Sequence, residues 1–167
     1  MITATNLDKI TKQLEEYEKE VERKLKFMVE QFAVDVVQAG VNNTPLGDSE
    51  KYAAFYKVRL TNETGLLDIE GLARGSWQID LDGNLTFTNS RDSYGKNSGS
   101  NAVKKAEGQA KGYKLGQTFV IGNAAPYIGE LENNSSMQTQ GQGIVAPTLA
   151  EIQAAHESDL KRYYDAG

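Results

Sequence analysis

Apolar residues recur at Leu7, Ile10, Leu14, Tyr17, Val21, Leu25, Met28, Phe32 and Val36, in steps of 3, 4, 3, 4, 4, 3, 4 and 4. Such spacing holds them on one face of an α-helix, so the pattern predicts one continuous helix over residues 6–39, roughly 50 Å long at about 1.5 Å per residue. Thr5 followed by Asp8 resembles a capping box, and Gly40 with Asn42, Asn43 and Pro45 supplies a stop. Glu15/Lys19, Glu20/Lys24 and Glu22/Lys26 place acid before base at i, i+4 along a solvated side. The stripe changes character midway. Up to Val21 it is narrow and flanked by charge; from Leu25 to Val37 it broadens to include Phe27, Val29 and Ala33. The second half is expected to pack on a sheet. The first half projects, and Leu7, Ile10, Leu14 and Tyr17 are a suspected subunit interface.

Residues 52–60 fit a short helix or a strand equally well. From Gly75 the period changes to two. Trp77, Ile79 and Leu81 face Leu85 and Phe87 across Asp82-Gly83, a hairpin pattern. Residues 90–116 are rich in Gly, Ser and Lys and read as a flexible basic loop, either mobile or ordered against a partner. Arg91, Lys96, Lys104, Lys105, Lys111 and Lys114 against Asp92 and Glu107 give it +4. A strand is expected over 117–123, a short helix after Pro126, and a last helix capped by Thr148 with Glu151. Leu149, Ile152, His156, Leu160 and Tyr163/Tyr164 share one side of that helix. The order predicts an α+β fold: a long N-terminal helix packed on a small antiparallel sheet, with a C-terminal helix.

The chain has 167 residues, enough for a single domain over 1–167 with a real core. Its formal net charge of -5 provides no overall basic face for nucleic acid. With no cysteine, disulfides, thiol catalysis and thiolate metal sites are excluded together. No apolar signal segment opens the chain and no 18-residue apolar run follows, so neither a signal peptide nor a membrane span is expected. Catalysis lacks candidates. The one histidine, His156, falls on the apolar face of the last helix, and no serine sits in a nucleophile elbow. "GYKLGQT" lacks the Gly-Lys-Ser/Thr order of a phosphate loop. No catalytic residue, metal site or cofactor is expected.

Three stretches carry a resemblance. Thr44-Pro45 follows the long helix; Gly71-Leu72-Ala73-Arg74-Gly75-Ser76-Trp77 opens the alternating segment. Asn123-Ala124-Ala125-Pro126-Tyr127-Ile128-Gly129-Glu130-Leu131-Glu132-Asn133-Asn134-Ser135 leaves the later strand, with Gln138 and Gly143-Ile144-Val145 after it. In this order they resemble the neck and tail-completion proteins of tailed bacteriophages, the head–tail joining family. In that family the first two stretches are almost contiguous; here about two dozen residues separate them, so 46–70 reads as an insertion. The family's motif positions fall on Thr44, Pro45, Arg74, Ser76, Trp77, Asn123, Pro126, Tyr127, Leu131 and Glu132, which the resemblance assigns mainly to the fold. It implies a non-enzymatic structural virion protein, made in the host cytoplasm and forming a ring at the head–tail joint. A hexamer or dodecamer is implied, meeting other neck, portal-adaptor or tail-tube proteins while DNA passes without specific binding. The alternative is a small non-enzymatic binding module whose basic Gly/Lys loop docks an acidic partner.

Overall fold

The computed structural model describes residues 4–47, 71–87, 95, 97–125, 128–133 and 142–165, with residues 4, 5, 130 and 158–165 as backbone only. Its elements run α1 (Ala4–Asn43), α2 (Leu72–Gly75), β1 (Trp77–Asp80), α3 (Ser98–Ala110), β2 (Val120–Asn123), α4 (Ile128–Asn133) and α5 (Val145–Asp165). The fold is α+β as expected, mostly helical around a two-stranded antiparallel sheet. The 46–70 insertion lies almost wholly outside the described residues, as do Pro126, Tyr127, Arg91 and Lys96.

The 40-residue α1 is continuous, as its 3/4 spacing requires. Both of its ends differ from expectation. Thr5 stands inside the helix rather than capping it, and the helix passes through Gly40 to end at Asn43. Gly40 is a packing position. A Cβ there would lie 2.6 Å from Cζ2 of Trp77, so the bare backbone is what lets the indole lie flat on the helix. The packed part of α1 is also shorter than the Leu25–Val37 half. Burial starts at Ala33 and continues through Val34, Val37, Ala39 and Val41, while Leu25, Phe27, Met28 and Phe32 stay exposed. Nor is the sheet the principal neighbour. α1 packs chiefly against α3 and α5 and meets the sheet mostly through β1.

α3 corrects the flexible-loop reading over its own span. Ser98, Ala102, Ala106 and Ala110 are buried at four-residue spacing, a stripe narrow enough to lie close on α1. Gly99 tightens the contact, since a Cβ there would meet Cγ1 of Val41 at 2.5 Å. Lys104, Lys105 and Glu107 point outward on the other side.

β1 pairs with β2 and not with the residues that follow it. The register is Trp77↔Asn123, Gln78↔Gly122, Ile79↔Ile121 and Asp80↔Val120. The expected hairpin is therefore half right. The turn forms, with Gly83 at φ 81, but residues 84–87 carry no ladder. The Gln78 amide instead donates to the Thr86 carbonyl at 3.0 Å, and Leu85 fills the space over Gly122, which a Cβ would take from it. The remaining edge of β1 faces α3, where Gln109 Oε1 accepts the Ile79 N–H at 3.2 Å.

The turn is tied by Asp80, whose Oδ1 accepts the backbone N–H of Asp82 at 2.7 Å and of Asn84 at 2.9 Å. These bonds, that from Asn84 foremost, hold the Asp80 carboxyl below its ordinary value. A lowered folded pKa favours the folded state above the ordinary aspartate range, and that contribution is lost as pH falls through the folded value. The amide protons of Asp82 and Asn84 should titrate together, with a midpoint below that of a free aspartate. Asp80→Asn should abolish the titration in the NMR spectrum while leaving both amides bonded.

The shared core joins Val37 and Val41 of α1, Trp77 and Ile79 of β1, and the α3 alanines, with Leu131 and Ile144 at the other end. Tyr113 stacks on Phe119 at 4.5 Å and leads the chain from α3 into β2.

Candidate functional site

The motif positions converge. Thr44 is fully buried; its Oγ1 donates to the Gly40 carbonyl at 2.6 Å and accepts the indole N–H of Trp77 at 2.9 Å. Arg74 donates through Nε to the Thr44 carbonyl. The Asn123 amide donates to the Ala73 carbonyl, and its Oδ1 accepts the Ala125 N–H at 2.9 Å. Ser76 donates through Oγ to the Leu72 carbonyl at 2.7 Å, while its own carbonyl accepts Ala124 N–H at 3.1 Å. Residues near 44, 74 and 123 thus form one clasp that fixes the end of α1, the start of β1 and the exit of β2. Half-buried Pro45 follows directly. Gly71, at φ 80, closes the entry to α2: its N–H donates to the Leu46 carbonyl at 2.6 Å and its carbonyl accepts Ser98 Oγ at 2.8 Å. This is a structural device. Each of these hydrogen bonds ties one part of the chain to another.

The corner after β2 is a second device. Leu131 is buried, and Glu132 Oε2 accepts the N–H groups of Ile144 at 2.7 Å and Val145 at 3.0 Å. A carboxylate on the first amides of α5 satisfies donors that a helix start otherwise leaves bare. Gly143, at φ 68, lies so close beneath Glu132 that a Cβ would meet its carboxylate at 2.9 Å. Glu132 therefore takes the capping part expected of Thr148, which sits inside α5 and donates to the Ile144 carbonyl at 2.7 Å.

Comparison with family models, curated proteins and solved structures gave no match. The residues must speak for themselves. Among the described residues no cluster of three or more His, Cys, Asp or Glu could hold a metal, and no helix is long and apolar enough to cross a membrane. His156 packs its ring edge-on to Phe32 at 4.8 Å, with Nε2 3.8 Å from an Asp35 carboxylate oxygen.

What the fold leaves unused is apolar surface. Leu7, Ile10, Leu14 and Tyr17 are 54, 50, 62 and 67 % exposed, and Leu25, Met28 and Phe32 extend the row toward the domain, while Phe27 is exposed on another side of the helix. Large apolar side chains gathered along one exposed helix face, interrupted only at half-buried Val21, are surface suited to a partner. The charges beside it hold it in a helix: Lys24 meets Glu20 at 2.7 Å, and Lys26 reaches forward to Glu30 at 3.6 Å rather than back to Glu22. The stripe itself was legible through Phe32, but its stretch from Leu25 to Phe32 was expected to pack on the sheet and is exposed instead, because periodicity does not say where a stripe finds its partner.

A second exposed apolar feature is a cleft of about 370 Å³ between α1, the sheet, α4 and α5. Val36, Ile121, Ile128, Val145 and Leu149 line it beside Trp77. No sequence motif announces it; it arises where short elements meet a long helix. The remaining basic positions of the suspected loop, Lys104, Lys105, Lys111 and Lys114, are exposed on and after α3.

Proposed function

We propose that this chain is a structural virion protein of the phage neck or tail-completion type, assembling as a hexameric or dodecameric ring at the head–tail joint. The observation that carries the reading is the exposed row Leu7, Ile10, Leu14, Tyr17 on a helix that runs well clear of its own core. A ring is closed by contacts between identical subunits, and such a row is surface that a monomer leaves unburied. The three stretches that resemble the head–tail joining family support it, since the residues they share bind one another in a clasp that holds the fold together. A net charge of -5 suits a passage that must not grip DNA phosphates. The chemistry is that of assembly, with other neck, portal-adaptor or tail-tube proteins as neighbours and no catalysis. A phage deleted for this gene should release DNA-filled capsids and separate tails, counted by electron microscopy of the lysate. Joined virions in normal number would contradict the proposal.

A further inference from the structure

The chain carries two exposed apolar surfaces that cannot meet each other within one molecule. Tyr17 and Leu7 stand 19 and 29 residues before Val36 on the same continuous helix. At about 1.5 Å per residue they lie roughly 28 and 43 Å from it along the axis. The row at the far end of α1 is a ridge; the cleft beside Val36 is a hollow, with Val145 and Leu149 about half exposed on its rim.

Most of the polar side chains of the hollow are committed elsewhere, and Asn133 stands exposed at its edge. Asn123 is spent on Ala73 and Ala125, Glu132 Oε2 on the amides of Ile144 and Val145, and Thr148 Oγ1 on the Ile144 carbonyl. A pocket for a polar small molecule needs convergent donors and acceptors to orient it. This one offers chiefly apolar walls, which suit apolar side chains from another helix. Charge points the same way. The first turns of α1 carry Lys9 and Lys12 against Asp8, a small positive excess, whereas Asp35, Glu132 and Glu151 stand on the three helices that border the cleft.

The geometry points to a head-to-tail contact in which the N-terminal turns of α1, with Leu7 and Ile10 leading, seat in the cleft of a second copy of this chain. The inference rests on the ring reading and gives it a mechanism. Each subunit offers one ridge and one hollow, so the contact is heterologous and repeats from copy to copy until it closes.

The absence of cysteine allows a clean test. Ile10→Cys and Leu149→Cys are prepared separately and mixed with a short bismaleimide; Ile10→Cys with Lys104→Cys, on the far side of α3, is the control. The first pair should cross-link at least tenfold more than the control. The double variant carrying Ile10→Cys and Leu149→Cys should give a ladder extending beyond dimers. A ladder that stops at dimers overturns the head-to-tail arrangement, because the two chains are then exchanging helices reciprocally. Cross-linking no stronger than the control overturns the cleft as the seat. The parent's oligomer size, measured alongside, separates the failures. An oligomeric parent without the Ile10–Leu149 link removes the cleft contact alone, whereas a monomeric parent removes the ring reading too.

Discussion

Replacing Trp77 by Ala should destabilise the subunit by about 3–5 kcal/mol, the usual loss for truncating a buried large aromatic side chain. Trp77 is 6 % exposed, lies against the bare backbone of Gly40, and gives its N–H to a fully buried Thr44. Truncation empties the centre of the core and leaves the Thr44 hydroxyl without that donor. The counterpart is Gly40→Ala. In an open helix that change stabilises by about 1 kcal/mol. Here the new Cβ would lie 2.6 Å from a ring atom clamped between α1 and the sheet, and overpacking of that kind costs about 1–3 kcal/mol, more when nothing can give. Gly40→Ala should therefore destabilise the parent, yet stabilise the Trp77→Ala variant by up to about 1 kcal/mol, since the obstacle has gone. Urea unfolding followed by circular dichroism measures all four corners of this cycle. Additive effects would mean that Gly40 is not where the indole rests.

Leu14→Asp should act on assembly and leave the fold alone. Leu14 is 62 % exposed and lies about five helical turns before the first buried residue, Ala33, so a carboxylate there meets water in the monomer. Between subunits the same carboxylate would have to be buried without a partner, which is expensive. Burying Leu7, Ile10, Leu14 and Tyr17 at about 25 cal/mol per Å² contributes several kcal/mol per contact before association costs, so the loss of one position should lower assembly by orders of magnitude. Val37→Asp is the contrast. Val37 is fully buried in the shared core, and a charge there should unfold the subunit outright. Light scattering and circular dichroism on the two variants should separate them: dispersed but folded for Leu14→Asp, unfolded for Val37→Asp. Unfolding by Leu14→Asp would place that edge in the core.

How much of this was legible depended on whether the deciding interaction was local. The α1 stripe was, because a 3/4 spacing over so many residues admits no other regular structure, and the strand ending at Asn123 was bounded by its own turn residues. The hairpin failed because its turn is local and its partner is not. Asp80 builds the reversal with the next few amides, but the ladder goes to Val120–Asn123, which pairs with β1 in the register that joins Trp77 to Asn123. α3 failed for a different reason. Its buried face is Ser98, Ala102, Ala106 and Ala110, too small to register as an apolar stripe, and its glycines looked like flexibility. The signal was present in the four-residue alanine spacing and in alanine's high helix propensity. At α5, Thr148 and Glu151 mimic a cap, but Glu132 reaches the helix start from another element, and sequence spacing does not encode that approach. Motif residues were identified without their partners. That Thr44 binds Trp77 while Asn123 holds Ala73 is visible only once the chain is folded.

The proposed ring requires the projecting half of α1 to be subunit interface. Cryo-electron microscopy of the purified full chain tests it most directly. A closed hexameric or dodecameric ring with Leu7, Ile10, Leu14 and Tyr17 buried between neighbouring copies is the expected result. A chain that stays monomeric throughout the micromolar range, or a ring in which those four side chains still face solvent, would contradict it.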